Sequence, residues 1–95
     1  MAIVVDTLVS NASREQSDAF DSSIEQAMME LGGPPAGLMV HFQSAHGDGF
    51  RLCNVWTTRD AMEPFYRDVV RPRLAAAGLD AAESVVADVW GFARP

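Results

Sequence analysis

Residues 37–58, GLMVHFQSAHGDGFRLCNVWTT, contain two alternating apolar and polar segments on either side of Asp48-Gly49. An Asp-Gly pair in this setting predicts a two-residue type I′ β-hairpin, because both turn positions need positive φ. Side chains alternate between the two faces of a strand, so the register set by this turn decides which of them share a face. One face collects the polar side chains of the hairpin, together with a tryptophan: His41, Gln43, Asn54 and Trp56.

The predicted register pairs Gln43 with Asn54 and His41 with Trp56. The opposite face carries the apolar set: Val40, Phe42, Cys53 and Val55. We expect the apolar set to face the core and the polar set to form a pocket wall or an interface. A three-residue loop would shift the register by one and scatter the polar set, so the site hypothesis depends on the turn.

The segments around the hairpin carry clear start and stop signals. Ala2–Val9 is rich in β-branched residues and predicts a strand. Ser13 and Gln16 form a capping box for a first helix, whose apolar stripe ends at Gly32-Gly33.

A second helix is predicted from Thr58 to Gly78. Pro64 and Pro72 lie inside it, and each removes a backbone donor and crowds the preceding turn. We therefore expect a kink or two consecutive segments. Glu83–Ala93 alternates again and predicts a fourth strand.

The order β-α-β-β-α-β predicts an α+β, ferredoxin-like fold with two helices on one face of a four-stranded antiparallel sheet. Ninety-five residues suffice for one domain, residues 1–95. The uncovered sheet face would carry Trp56, Trp90 and Phe92. A bare apolar face of this kind indicates an interface, and we expect a second copy of the chain to cover it, giving a homodimer.

Composition excludes several classes of function. The net charge of −6 argues against nucleic acid or an anionic membrane as partner. Cys53 is the single cysteine, which favours a reducing compartment, and no basic leader or long apolar run is present, so we expect a cytoplasmic protein. The sequence lacks metal-ligand spacings and Gly-rich phosphate loops, so we expect neither a bound metal nor a nucleotide cofactor.

Three residues of the polar face are candidates for catalysis. His41 can accept a phenolic or α-carbon proton near neutral pH. Asn54 can hold a developing oxyanion, and Trp56 can form a flat wall against an aromatic ligand. The structural alternatives are a surface hydrogen bond for His41, a hydrogen bond to Gln43 for Asn54, and packing for Trp56.

Two carboxylates, Asp6 and Asp88, lie on the first and last strands, which are neighbours in this topology. Their approach would raise a carboxyl pKa and make an acid or base. The alternatives are pairing with arginine across the dimer or simple exposure. Tyr66 lies on the apolar stripe of the second helix, and Cys53 is expected to be inert in the core.

Several segments resemble the dimeric α/β-barrel superfamily, in particular its antibiotic-biosynthesis-monooxygenase-like members. The resemblance extends from Ile3 to Phe92 and rests on five segments: Gly37–His41, Gly49–Arg51, Val55–Thr58, Phe65-Tyr66 and Val70–Leu74. It implies a dimeric barrel and a cofactor-independent oxygenase of secondary metabolism that acts on an aromatic or polyketide-type substrate. An Asn, a Trp and an Arg serve the quinone-forming members, and here Asn54 and Trp56 supply the first two types, with Arg73 or Arg51 as the third.

Other members of the superfamily leave alternatives open. Polyketide cyclases use a His with a Tyr, a part that His41 and Tyr66 could take, and a non-catalytic dimeric binding or accessory protein is also possible. Haem-degrading members place an axial His on the second helix, and no His lies between Thr57 and Gly78. The residues expected around the substrate are Gln43, Tyr66, Asp6, Asp88, Trp90 and Arg73.

Overall fold

Strands and helices alternate as predicted in the computed structural model, which describes residues 1–92. The elements are β1 (Ile3–Ser10), α1 (Arg14–Glu30), β2 (Leu38–His46), β3 (Gly49–Trp56), α2 (Arg59–Phe65), a π-helical segment (Tyr66–Val70), α3 (Arg71–Ala76), β4 (Asp80–Ala81) and β5 (Val85–Asp88). The α+β, ferredoxin-like fold is therefore confirmed. No helix within residues 1–92 combines the length and apolar character needed to cross a membrane.

The antiparallel sheet has five strands rather than four, in the order β2-β3-β1-β4, with β5 also paired to β1. Two short strands, β4 and β5, pair with β1 where the sequence predicted a single fourth strand. β4 pairs with Val9 and Ser10, and β5 pairs with the stretch from Ile3 to Asp6. The predicted last strand was too long, since β5 ends at Asp88; Ala93 lies outside the described residues.

The hairpin turn lies one residue earlier than predicted, at Gly47-Asp48, with His46 opposite Gly49. Gly47 has a φ of 55°, and Asn11 is the single described non-glycine residue with positive φ, which indicates a type II′ rather than a type I′ turn. Gly49 is needed within β3, because a Cβ there would overlap the carbonyl oxygen of Val9.

This change of turn shifts the pairing by two residues, so His41 lies opposite Asn54. A shift of two keeps every side chain on its predicted face. Trp56 lies opposite Leu38, and an irregularity between Leu38 and Val40 interrupts the ladder there.

The assignment of the two hairpin faces to core and surface was wrong. The face with Asn54 and Trp56 packs under the helices, and their exposed fractions are 3% and 1%. On the opposite face Val40 and Phe42 are exposed, although Cys53 is buried. Trp56 therefore does not belong to the bare sheet face.

The second helical region consists of consecutive segments, as predicted. The Thr58 hydroxyl accepts a hydrogen bond from the Ala61 N–H and caps α2. The π-helical segment ends where the Arg71 N–H donates to the Tyr66 carbonyl, five residues back, and Pro72 begins the next α-helical turn. This wider turn accommodates the missing N–H of Pro72 and places the side chain of Tyr66 in the core.

The first helix begins with the predicted capping box: the Ser13 hydroxyl accepts from the backbone N–H of Gln16, and Gln16 Oε1 accepts from the backbone N–H of Ser13. Its buried face carries Phe20 and Ile24 onto the sheet. Both helical regions thus cover the same sheet face, and two polar residues of that face, Thr7 and Asn54, are enclosed with the core.

Candidate active site

A buried hydrogen-bonded chain joins β3 to the π-helical segment. The Trp56 indole Nε1–H donates to Asn54 Oδ1 across 2.6 Å, and Asn54 Nδ2 donates to the Tyr66 hydroxyl across 2.6 Å. Because an indole N–H can only donate, this order fixes the orientation of the Asn54 amide. The amide nitrogen carries a second N–H, which the Tyr66 bond does not use.

Burial raises the pKa of Tyr66 to about 12. Hydrogen bonds with Asn54 and Thr7 act in the opposite direction and lower this pKa, but burial is the larger effect. The hydroxyl of Thr7 in turn lies 2.7 Å from that of Ser84. Tyr66 is therefore a neutral phenol at physiological pH. Since the Tyr66 oxygen accepts a hydrogen bond from Asn54, its own O–H is left to donate to Thr7.

His41 is paired with a carboxylate from α1. Its Nε2 lies 3.3 Å from Asp21 Oδ1, and 19% of the His41 side chain is exposed. A carboxylate only accepts hydrogen bonds, so the neutral imidazole carries its proton on Nε2. The lone pair of Nδ1 is then free to take a proton.

His41 lies between two spaces. On its outer side is a groove of about 520 Å³ between α1 and the edge strand β2, also lined by Asp18 and Gln43. On its inner side is a cavity of about 10 Å³ bordered by Asn54 and Trp56. The groove has the size of a typical ligand site, whereas the cavity holds about one water molecule.

Gln43 faces the same groove. Its Oε1 accepts a hydrogen bond of 2.5 Å from the Ser17 hydroxyl on α1. Its Nε2 is buried and has no hydrogen-bond partner within residues 1–92. It is the one buried side-chain nitrogen or oxygen of the described chain in this condition.

The predicted approach of Asp6 and Asp88 is wrong. Asp6 lies opposite Val85 on the bare sheet face, whereas Asp88 lies opposite Ile3 on the other face. Asp6 instead accepts a hydrogen bond of 2.6 Å from Arg51, which holds its pKa below the usual value rather than above it. Arg51 lies opposite Leu8 on the bare sheet face, whereas Asn54 is on the other face, so Arg51 does not contribute to the cavity that Asn54 borders.

Two further predicted residues lie elsewhere. Arg73 donates to the Ser23 hydroxyl across 2.7 Å and lines a cleft between α1 and α3. Trp90 is 94% exposed after the end of β5. The structure therefore brings His41, Asn54 and Trp56 to one cavity, adds Tyr66 behind them, and places Gln43 in the adjoining groove.

Asp21 and Ser17 were missed by sequence reasoning. They are four residues apart on α1, beside the apolar stripe that contains Phe20 and Ile24, so a polar pair on the flank of the buried face was the available signal. Thr7 and Ser84 carried no recognisable signal. Residues 1–92 contain no group of three or more His, Cys, Asp or Glu side chains arranged to hold a metal ion.

Solved structures share this fold. SnoaB, a cofactor-independent oxygenase from Streptomyces nogalater, matches with a TM-score of 0.62 at 18% identity, over 96% of this chain and 93% of SnoaB. A SnoaB variant gives a TM-score of 0.67 at 12% identity, over 96% and 94%. A candidate antibiotic biosynthesis monooxygenase from Deinococcus radiodurans gives 0.63 at 16% identity, over 100% and 98%.

The chain therefore has the fold of the antibiotic-biosynthesis-monooxygenase-like proteins, and the resemblance seen in the sequence is confirmed at the level of fold. Neither a protein-family model nor a curated protein matches the sequence.

Proposed function

We propose that this protein is a cofactor-independent oxygenase acting on a neutral hydroxyaromatic, polyketide-type substrate of secondary metabolism. The observation that carries the proposal is the position of His41. Asp21 orients it, and it lies between a ligand-sized groove and the cavity that Asn54 and Trp56 border. The shared fold with SnoaB supports the same class of reaction.

In this proposal His41 Nδ1 removes an acidic proton from the substrate. The second N–H of Asn54 donates to the oxygen on which negative charge develops, and Trp56 lies against the ring. The electron-rich anion then reduces O₂. For a CH₂ group activated by neighbouring rings, the balanced reaction is R₂CH₂ + O₂ → R₂C=O + H₂O.

Substrate entry requires the inner cavity to widen, because about 10 Å³ admits no ring. Met28 and Leu38 border this cavity and are only partly buried. Methionine adapts its shape at low cost, so we propose that the ring enters from the groove by displacing these two side chains.

We further propose a homodimer in which a second copy covers the bare sheet face. Exposed apolar side chains from three strands lie on this face: Leu8, Val40, Phe42 and Val85. Arg51 and Asp6 neutralise one another at its centre, which leaves the surface suited to an apolar contact.

The test is oxygen uptake with anthrones and naphthols as substrates. We expect uptake by the wild type, and a rate lower by about 10²–10⁴ in His41→Gln, the usual contribution of a general base. His46→Gln, at the exposed hairpin end, is the matched control and should retain the rate. Unchanged uptake in His41→Gln would exclude His41 as the base.

A non-catalytic binding protein is the second candidate, and one observation favours it. The polar atoms of Trp56, Asn54 and Tyr66 satisfy one another, as they would in a purely structural network. The cyclase alternative is less well supported, because the Tyr66 hydroxyl is bonded to Asn54 rather than to His41. Ligand binding without oxygen uptake or cyclisation of any polyketide mimic would establish the binding role.

A further inference from the structure

The groove between α1 and β2 contains a donor with nothing to bind. Gln43 Nε2 is buried without a partner in residues 1–92, while its Oε1 is held by Ser17. A buried donor left unsatisfied costs about 1–3 kcal/mol, and native proteins tolerate few of them. Because Gln43 lines a ligand-sized groove, a turn of its terminal amide toward the groove would let a ligand supply the missing acceptor.

Gln43 and His41 are two residues apart on β2 and face the same side, both lining the groove. Two residues of a strand span about 6.6 Å. The donor and the base can thus address two oxygens on opposite positions of a single aromatic ring. One oxygen accepts from Gln43 and the other gives its proton to His41.

The charge of the groove restricts the ligand further. Asp18 and Asp21 both line it, and the only cation nearby, within residues 1–92, is Arg14, which is paired with Asp18 at 3.3 Å. With a net charge of −6 on the chain, an anionic ligand is disfavoured. The ligand that fits is neutral when it binds.

We infer that Gln43 is a specificity residue that recognises the carbonyl oxygen of a neutral para-hydroxyaryl ketone, with the ring hydroxyl directed to His41. This inference rests on the proposed function, since it uses the same base. Beyond that function, it specifies the class of substrate that the groove selects, namely phenols with a carbonyl group in the para position.

The test uses para-hydroxyacetophenone and para-ethylphenol, which lacks only the carbonyl oxygen, as probes in NMR-monitored titrations. Wild type should bind the ketone about tenfold more tightly, the factor expected for one hydrogen bond, and the Gln43 side-chain amide resonances should move. Gln43→Leu should bind the two probes equally. Gln26→Leu, at an exposed glutamine of α1, should keep the preference.

Gln43→Glu gives a second variant of nearly the same shape that replaces the donor by an acceptor. It should reverse the preference even if Gln43→Leu does not fold. Equal affinities in the wild type, a preference that survives in Gln43→Leu, or no binding of either probe up to its solubility limit would each overturn the inference.

Oxygen uptake separates this inference from the proposed function. Carbonyl-selective binding that depends on Gln43, with no uptake for any phenol, would contradict the oxygenase and support the recognition role. Uptake that depends on His41 but is indifferent to the carbonyl and to Gln43 would overturn the recognition role alone.

Discussion

Asn54 donates a hydrogen bond of 2.6 Å to the hydroxyl of Tyr66, joining strand β3 to the π-helical segment inside the core. The bond uses one of the two hydrogens on the Asn54 amide nitrogen. Because the amide group is planar, the same bond also fixes the direction of the second hydrogen. The wide helical turn before Pro72, which contains Tyr66, thereby contributes to the orientation of the candidate oxyanion donor.

Tyr66→Phe should destabilise the fold by about 1–3 kcal/mol, because it leaves an Asn54 N–H buried without a partner. Chemical denaturation measures the change in the free energy of unfolding. In a double-mutant cycle with Asn54→Leu, the combined loss should be smaller than the sum of the single losses. Strict additivity would show that the two groups do not interact.

Alkaline pH should destabilise the protein through Tyr66. Its pKa is raised from 10 in the unfolded chain to about 12 in the fold, so the stabilisation is fully present below pH 10 and is lost as pH rises through 12. The full amount is about 3 kcal/mol. Tyr66 is the single tyrosine, so its ultraviolet absorbance reports this titration directly. Tyr66→Phe should abolish this part of the pH dependence.

Asp21→Asn should lower kcat of the proposed reaction by tenfold or more with little change in KM. Its amide can donate to Nε2 and so stabilise the opposite tautomer, in which Nδ1 is no longer a base. Asp21→Glu should restore part of the rate, and Glu25→Gln, at an exposed carboxylate of α1 outside the groove, is the control that should keep it. A rise in KM alone would indicate that Asp21 contacts the substrate instead.

Phe42→Asp should convert the proposed homodimer into a monomer. It places a charge on an apolar face that a second copy would otherwise cover. Light scattering should give a mass near 10.3 kDa for the variant and about twice that for the wild type. Leu31→Asp, at a side chain 65% exposed beyond the end of α1, should leave the dimer intact. A monomeric wild type at micromolar concentration would contradict the proposed dimer.

Local signals predicted much of this fold because they act within a few residues. The Ser13 and Gln16 capping box, the Thr58 helix start and the division of the second helix into consecutive segments are all present. The hairpin turn was one residue off because Asp48-Gly49 has the more typical sequence, whereas Gly49 is required for close approach to Val9.

The faces of the hairpin could not be assigned from their composition. The face with Phe42 is the more apolar, yet it lies on the bare side of the sheet, and Asn54 is buried because two neighbours satisfy its amide. Such pairing depends on contacts between distant segments. For the same reason the partnership of His41 with Asp21 became visible only in three dimensions.

The two edges of the sheet differ in length, and this difference limits how copies of the chain can join edge to edge. β2 offers an edge of nine residues with one irregularity between Leu38 and Val40, whereas the opposite edge is formed by two short strands, β4 and β5, with a gap at residues 82–84. Endless growth of a sheet needs two complementary long edges on every copy. With only one such edge in the described chain, strand addition at β2 ends after a single symmetric pairing, and a fibril cannot propagate by this route.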